Sequence, residues 1–156
     1  MAQKERLIQR TKEYLDSQGW RYNALGNDGD AFEMHMNIKC KLKSCRVIIL
    51  VSEGEIQSLA VSPISADENA RANVVEFITR ANYGLKIGKF EFDYRDGEVR
   101  YQSCLPCREG LPSLRDVERV VDMPIMMLQR YGDGLAKNLL GFGNPAADIR
   151  EIEGDH

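Results

Sequence analysis

The sequence predicts an α+β fold in which helices pack on one face of a mainly antiparallel sheet. Its strand-like segments follow one another in groups joined by short turns, without the strand–helix–strand alternation that is typical of parallel sheets. Amphipathic segments with helical spacing stand before, between and after these groups. The predicted order is therefore one helix, four strands, a helix, two strands and further helices.

Length and composition are those of a single globular domain. The 156 residues suffice for a hydrophobic core, and 43% hydrophobic with 29% charged residues is ordinary. The net charge of −3 provides no basic excess, so we expect no nucleic-acid partner. No apolar run approaches the roughly 20 residues of a membrane helix, and the charged start differs from a signal peptide. We expect a cytoplasmic protein with no membrane partner.

Residues 1–143 are predicted to form the domain, and residues 144–156 an acidic, frayed tail. The first element of the domain is a helix from about Lys4 to Gln18, and Gly19 is the glycine expected to end it. The apolar face of this helix consists of residues at helical spacing: Leu7, Ile8, Thr11, Tyr14 and Leu15.

Four strands are predicted after this helix. The second of them alternates apolar and polar residues, which is typical of a strand with one face in water. The third contains the apolar run Val47–Val51, which indicates a central strand. The four segments are Trp20–Leu25, Ala31–Cys40, Arg46–Ser52 and Ile56–Val61.

Two further helices are predicted from their start signals. Ser65 begins a capping-box sequence, and an apolar face continues from there to about Asn82. Ser113 is the predicted N-cap of a later helix. Because Pro124 lacks a backbone N–H, we expect that later helix to kink or to restart near Asp122.

The segment between these two helices predicts a β-hairpin. Asp96-Gly97 favours a two-residue type I′ turn, and aromatic residues alternate with charged residues before it. With this dipeptide as the loop, three pairs face each other: Phe92 with Tyr101, Tyr94 with Val99, and Asp93 with Arg100. The aromatic side, which includes Phe90, is expected to face the helices.

A set of residues in and around this hairpin matches a family motif. The residues are Asn82, Leu85, Gly88, Phe90, Asp93, Gly97, Val99 and Tyr101, followed by a helix and a Tyr131…Leu139-Leu140-Gly141 ending. On these residues the sequence resembles the bacterial YbjN family. The resemblance implies a two-layer α+β domain, often dimeric, with the fold of the type III secretion chaperones and no established catalytic residues. Family members have been described as sensory transduction regulators, and secretion chaperones hold extended partner segments on hydrophobic patches.

A methionine-rich segment is the candidate partner-binding site. Methionine adapts to irregular partners and is common on surfaces that bind several sequences, although it also fills cores. The candidate residues are Met123, Met126, Met127 and Leu128. An uncovered face of the sheet is the other surface that could serve. We interpret the protein as a non-enzymatic, chaperone-like or regulatory module that forms a homodimer and binds a protein or peptide.

Four cysteines support an alternative of another class, a zinc-binding or thiol-redox protein. Cys40 and Cys45 are spaced C-x4-C, and Cys104 and Cys107 are spaced C-x2-C, which together are enough ligands for tetrahedral zinc. The first spacing is loose, and the two pairs must meet in space. We therefore expect free thiols, with no metal and no cofactor. His35 lies on the polar face of its strand without a nearby nucleophile, so we expect no catalytic residue.

Overall fold

The computed structural model describes residues 2–108 and 110–154, and in them one antiparallel sheet lies against a layer of helices. The helices are α1 (Gln3–Ser17), α2 (Arg71–Asn82), α3 (Leu114–Leu139) and α4 (Pro145–Glu153). The strands are β1 (Asn23–Leu25), β2 (Ala31–Asn37), β3 (Ser44–Ser52), β4 (Glu55–Val61), β5 (Lys89–Phe92) and β6 (Val99–Pro106). They are ordered β1-β2-β3-β4-β6-β5 and every pair is antiparallel. The predicted α+β fold is confirmed.

The core lies between the sheet and the helices. α3 packs on β4 and β6, α1 on β3, and α2 on β5. Because side chains of a strand point alternately to its two faces, alternate residues of β3 and of most of β6 are buried under these helices. The largest fully buried side chains of the sheet are Phe32, Val47, Ile49, Ile56 and Tyr101.

Helix α3 runs without interruption through Pro124, so the predicted restart near Asp122 is wrong. A proline cannot donate to the carbonyl four residues earlier, which here belongs to Val120. The hydroxyl of Ser103, on the buried face of β6, donates to this carbonyl at 2.5 Å. A side chain from the sheet therefore replaces the missing helical bond, which allows the helix to continue.

The hairpin has a different register from the predicted one. Phe92 pairs with Val99, Phe90 with Tyr101, and Glu91 with Arg100. The connection is consequently a six-residue loop, 93–98, instead of the predicted two-residue turn. The register differs by two residues, so the same faces stay buried, but Tyr94 leaves the strand and is 65% exposed.

Tertiary contacts explain the longer loop. The backbone N–H of Ala66 donates to the carbonyl of Gly97 at 2.9 Å, and Arg71 donates to the carbonyl of Tyr94. Asp93 binds Arg95 within the loop instead of Arg100 across the hairpin. This carboxylate accepts bonds from the guanidinium and the backbone N–H of Arg95, which lower its pKa to about 2. The loop is therefore held against the segment before α2.

Of the two helix caps that the sequence predicts, the one at Ser113 forms and the one at Ser65 does not. Ser113 caps α3 as predicted, in a reciprocal capping box with Asp116. The capping box predicted at Ser65 does not form, because α2 begins only at Arg71. The backbone around Ser65 stays outside the helix, and its neighbour Ala66 bonds to the hairpin loop.

The prediction of a frayed segment over residues 144–156 is wrong for most of its length. Pro145–Glu153 form α4, which packs against α2 and α3. Asn144 is the N-cap and accepts a bond from the N–H of Ala147, and Pro145 occupies the first turn. An N-cap asparagine followed by proline is a helix start signal that the sequence interpretation passed over. Asp155 and His156 lie outside the described residues.

Candidate functional site

The face of the sheet that points away from the helices is called the outer face below. Its side chains alternate with the buried ones along β3, where Val47, Ile49 and Val51 are buried and Leu50 is 39% exposed. Within the described part of the chain, the helices that contact the sheet all pack on the opposite face. The outer face is therefore a regular surface that none of the described helices covers.

An apolar stripe occupies the centre of the outer face. It consists of Ile48, Leu50, Leu59 and Val61, which lie on the two central strands β3 and β4. Ile48 pairs directly with Leu59, and Val61 pairs with Arg46. Leu59 and Val61 are buried although they belong to this face and not to the main core, so Ile48 and Leu50 are the accessible residues of the stripe.

Ion pairs border the stripe on both sides. On β2 and β3, the guanidinium Nη2 of Arg46 lies 2.5 Å from Oε2 of Glu33. On β5 and β6, Nε of Arg100 lies 2.9 Å from Oε1 of Glu91. An apolar centre within a charged rim of both signs is the composition of protein–protein interfaces. The outer face can therefore bind a protein surface with apolar and charged groups of its own.

The predicted methionine segment is only partly accessible. Met126 is 60% exposed, whereas Leu128 is fully buried in the core. Met123 and Met127 are half-buried and pack against the core. The inclusion of Leu128 in a partner-binding surface is therefore wrong, because the helical period turns it toward the sheet beside Pro124 and Tyr131.

The four cysteines lie at opposite ends of the sheet. The register places Cys45 level with Val99, and Cys104 is five residues further along β6, which corresponds to roughly 17 Å. One zinc ion cannot bind both pairs over this separation. Among the described residues, no group of three or more His, Cys, Asp or Glu side chains could hold a metal. The four-cysteine zinc site that the spacing suggested is therefore wrong.

Three of the four thiols lack the environment of redox-active cysteines. Burial raises the pKa of Cys45 to about 11. Partial burial, together with the carboxylate of Glu55 at 3.1 Å, raises the pKa of Cys104 to about 11. Burial raises the pKa of Cys107 as well. A reactive cysteine needs the opposite shift, so these thiols are poor nucleophiles at neutral pH.

An uncovered face of the sheet is only the second of the two candidate surfaces that the sequence indicates. The run Val47–Val51 predicts a central strand, and β3 does lie between two other strands, but only alternate residues of the run are covered by helices. The available signal was the alternation of charged residues on the neighbouring strands. Glu33 and His35 on β2 and Arg100 on β6 share the face of Ile48, which indicates that this face is in water.

The fold and the site together define a two-layer α+β domain with one uncovered sheet face. The chain belongs to the YbjN family, whose sequence profile matches residues 8–137 and is described as "Putative bacterial sensory transduction regulator". Its fold is similar to that of a protein described as "YbjN, a putative transcription regulator from E. coli", with a TM-score of 0.60. The two chains are 12% identical, and the similarity covers 78% of this chain and 85% of the other.

No curated protein matches this chain in sequence. In the described ranges, none of the helices combines the length and the apolar character that crossing a membrane requires. The family assignment is therefore the functional description that the comparisons provide, and the structural similarity concerns the fold alone.

Proposed function

We propose that the protein is a non-enzymatic, cytoplasmic regulatory module that acts by binding proteins through the outer face. The observation that supports this function is the apolar stripe on β3 and β4 between the Glu33–Arg46 and Glu91–Arg100 ion pairs. The family description as a regulator agrees with a binding function. Burying the apolar surface at the centre of this face against a partner is favourable. The charged rim makes binding specific, because the partner must carry complementary charges.

The first partner that we propose is a second copy of the chain. A two-fold axis along the strands, between β3 and β4, would place Ile48 of each copy against Leu59 of the other. The same operation would place Glu33 near Gln102 and Lys89 of the second copy, because these residues share one row of the sheet. The accessible part of the stripe, Ile48 and Leu50 on β3, then lies beside the axis in both copies, so that the same patch of each chain meets the other, as an isologous interface requires.

The accessible part of the methionine segment is a second candidate surface. Met126 is 60% exposed on α3, and Met123 and Met127 flank it. We propose that a peptide or protein partner contacts this segment when the outer face is occupied by the second copy. Methionine suits such a site because its side chain adapts to different partners.

Charge insertion tests the outer face against a matched control. Leu50→Glu places a charge on the outer face, and Leu114→Glu places the same charge at a leucine of equal exposure at the start of α3 (39% and 38% exposed). Light scattering on the purified variants and capture of partners from bacterial lysate are the measurements. We expect Leu50→Glu to be monomeric and to capture none of the proteins that the unmodified protein captures. Leu114→Glu should behave as the unmodified protein.

A third variant separates the two candidate surfaces. Met126→Glu is expected to keep the dimer and to lose peptide or protein partners. If Leu50→Glu keeps both its oligomeric mass and its captured proteins, the outer face is not the binding surface. If Met126→Glu alone becomes monomeric, the interface lies on α3 instead.

A further inference from the structure

The last part of β6 has a neighbouring strand on one side only. β4 pairs with residues 100–106 of β6, whereas β5 pairs with residues 99–102. Residues 103–106 consequently form an open edge, which lies in line with β5 and before its first residue. An open edge presents backbone N–H and C=O groups to which an extended chain can bind.

Gly88 is the position at which the chain diverges from this edge. It has φ +72°, and a Cβ on it would overlap the carbonyl oxygen of Gln102. The preceding residue, Ile87, lies on the helix-facing side of the sheet, because its carbonyl accepts a hydrogen bond from the hydroxyl of the buried Tyr101. The place beside residues 103–106, where β5 would continue in a longer hairpin, is therefore not taken by the residues before β5.

The backbone groups that this edge leaves unpaired belong mainly to Cys104. Successive residues of a strand direct their N–H and C=O groups to opposite neighbours. Val99 and Cys107 bond toward β4, and Glu98 bonds toward the β5 side. Cys104 therefore directs both its N–H and its C=O to the open edge, and neither group has a backbone partner among the described residues. Pro106 adds a further carbonyl on that side.

A cavity of about 240 Å³ lies beside the open edge, between β6 and the first turns of α3. Its apolar lining includes Ile87, Leu105 and Val120. Ser103 faces the helices, because its hydroxyl bonds to α3, and Cys104 faces the outer side. Side chains opposite each other in an antiparallel pair share one face of the sheet. A residue opposite Cys104 would therefore point outward, and the residues before and after it would point to the cavity.

The cavity also has a positive charge near one end. Arg119 lines it and is exposed, and within the described ranges the arginines that form ion pairs are other ones. The carbonyl of Val120 accepts from the hydroxyl of Ser103 at 2.5 Å, so this part of α3 is level with Ser103. Asp116, the other charged residue of the lining, is engaged in the capping box with Ser113. The cavity therefore favours a negatively charged group near Ser103.

Lys89 limits how far an added strand can reach. It pairs with Gln102, so a chain along the open edge must end or turn away after the residue opposite Ser103. If the added strand is antiparallel, as every pair in this sheet is, its C-terminal end falls at this point. Its α-carboxylate would then meet Arg119 and Lys89, whose Nζ is 4.0 Å from the carboxylate of Glu91. Both the available space and the positive charges favour a chain terminus.

We propose that the open edge at residues 103–106 binds the C-terminal end of a partner protein as an added antiparallel strand. The second-last residue of the partner pairs with the N–H and C=O of Cys104. Its last and third-last side chains are apolar and enter the cavity, and its α-carboxylate is held by Arg119 and Lys89. The edge and the cavity lie apart from the outer face, so the proposal does not rest on the function assigned to that face.

The test uses the full-length protein and a fluorescein-labelled peptide, Gly-Gly-Lys-Thr-Val-Thr-Val, with a free C-terminal carboxylate. Its valines occupy the two cavity positions, and its second threonine lies opposite Cys104. Two matched peptides differ from it by one group each: one ends in an amide, and the other carries an N-methyl group on the second threonine. Anisotropy titration should show saturable binding of the first peptide and roughly tenfold weaker binding of the other two, because each lacks one contact with the edge.

Variants of the protein locate the bound peptide. Arg119→Gln should weaken binding of the carboxylate peptide roughly tenfold and change binding of the amide little. Arg115→Gln, at an exposed arginine of the same helix, is the matched control. Cys104→Pro removes an N–H that has no partner in the sheet, so the fold should remain while peptide binding is lost. Leu50→Glu, on the outer face, should bind the peptide as the unmodified protein does.

Hydrogen exchange of the Cys104 N–H, followed by NMR, reports the contact directly: saturating peptide should slow it. The N-methylated peptide probes the same pairing if circular dichroism shows that Cys104→Pro is unfolded. The proposal is overturned if the carboxylate peptide shows no saturable binding up to about 1 mM, or if Leu50→Glu abolishes binding. It is also overturned if the amide or the N-methylated peptide binds as tightly as the carboxylate peptide, because binding would then need neither a chain terminus nor an added strand.

Discussion

The side-chain amide of Asn82 forms two hydrogen bonds with the backbone of Phe90. The N–H of Phe90 donates to Oδ1 of Asn82 at 2.7 Å, and Nδ2 of Asn82 donates to the carbonyl of Phe90 at 3.0 Å. β5 is an edge strand, so this amide occupies the place that a further strand would take. Asn82, at the end of α2, thus closes one edge of the sheet and ties that helix to it.

We predict that Asn82→Ala lowers the free energy of unfolding by about 1–3 kcal/mol, because it leaves two backbone groups of a buried residue without partners. Asn73→Ala, at an exposed asparagine of the same helix, is the matched control and should change stability little. Urea denaturation measures both. Equal effects of the two substitutions would mean that the amide does not stabilise the edge.

Gly97 should tolerate alanine less well than a glycine of the same backbone conformation in open space. Gly97 has φ +80° and its Cβ would overlap the carbonyl of Ala66, whereas Gly84 has φ +84° and nothing within 4 Å. Gly84→Ala is expected to cost about 1–2 kcal/mol for the positive φ alone. Gly97→Ala should cost about 1–3 kcal/mol more, because the Ala66–Gly97 hydrogen bond must also break. Thermal melts of the two variants that coincide would contradict this close approach.

The stability contributed by the hydrogen bond from Ser103 to the carbonyl of Val120 should depend on the presence of Pro124. We predict that Ser103→Ala costs about 1–3 kcal/mol, because it leaves a buried carbonyl unpaired. In a Pro124→Ala background the helix regains an N–H for this carbonyl, so the same substitution should cost less. Chemical denaturation of the double-mutant cycle gives the coupling energy. Additive effects of the two substitutions would show that the serine does not compensate for the proline.

The observed hairpin register predicts that the two phenylalanines of β5 contribute unequally to the stability of the protein. Phe90 is 2% exposed and packs edge-on against Tyr101 and Tyr131, with ring centroids 4.9 and 5.5 Å away. Phe90→Ala is expected to lower stability by about 3–5 kcal/mol. Phe92 is half-buried, and Phe92→Ala should cost only about 1–2 kcal/mol. The reverse order in denaturant titrations would favour the two-residue turn that the sequence predicted.

The thiol of Cys104 should react slowly with alkylating reagents until the pH approaches its raised pKa of about 11. Since only the thiolate reacts, the rate should increase about tenfold per pH unit below that value. Glu55→Gln removes the negative charge beside the sulfur, so alkylation at pH 8 should become several times faster. Glu53→Gln, at an exposed carboxylate of the same turn, is the control. Site-resolved mass spectrometry follows the modification, and a fast reaction of unmodified Cys104 at pH 7 would refute the shift.

Two regions show why a local pattern can fail. Asp96-Gly97 and the alternating aromatics are the local signals that favour a two-residue turn. The observed loop is longer because Ala66 and Arg71, which come from outside the hairpin, bind its backbone. Pro124 likewise predicts a helix break from local geometry, and the helix continues because Ser103 of the sheet supplies the missing bond.

The sequence by itself determined the elements whose burial repeats with a regular period. The alternation in β2, the helical stripe of α1 and the cap at Ser113 are local properties of side chains and backbone, and the fold class follows from their order. Only the tertiary structure decided which face of the sheet stays uncovered, how far apart the cysteine pairs lie, and that residues 145–153 fold onto α2 and α3. These features depend on contacts between residues far apart in the chain, and a short helix such as α4 is stable only where a groove receives it.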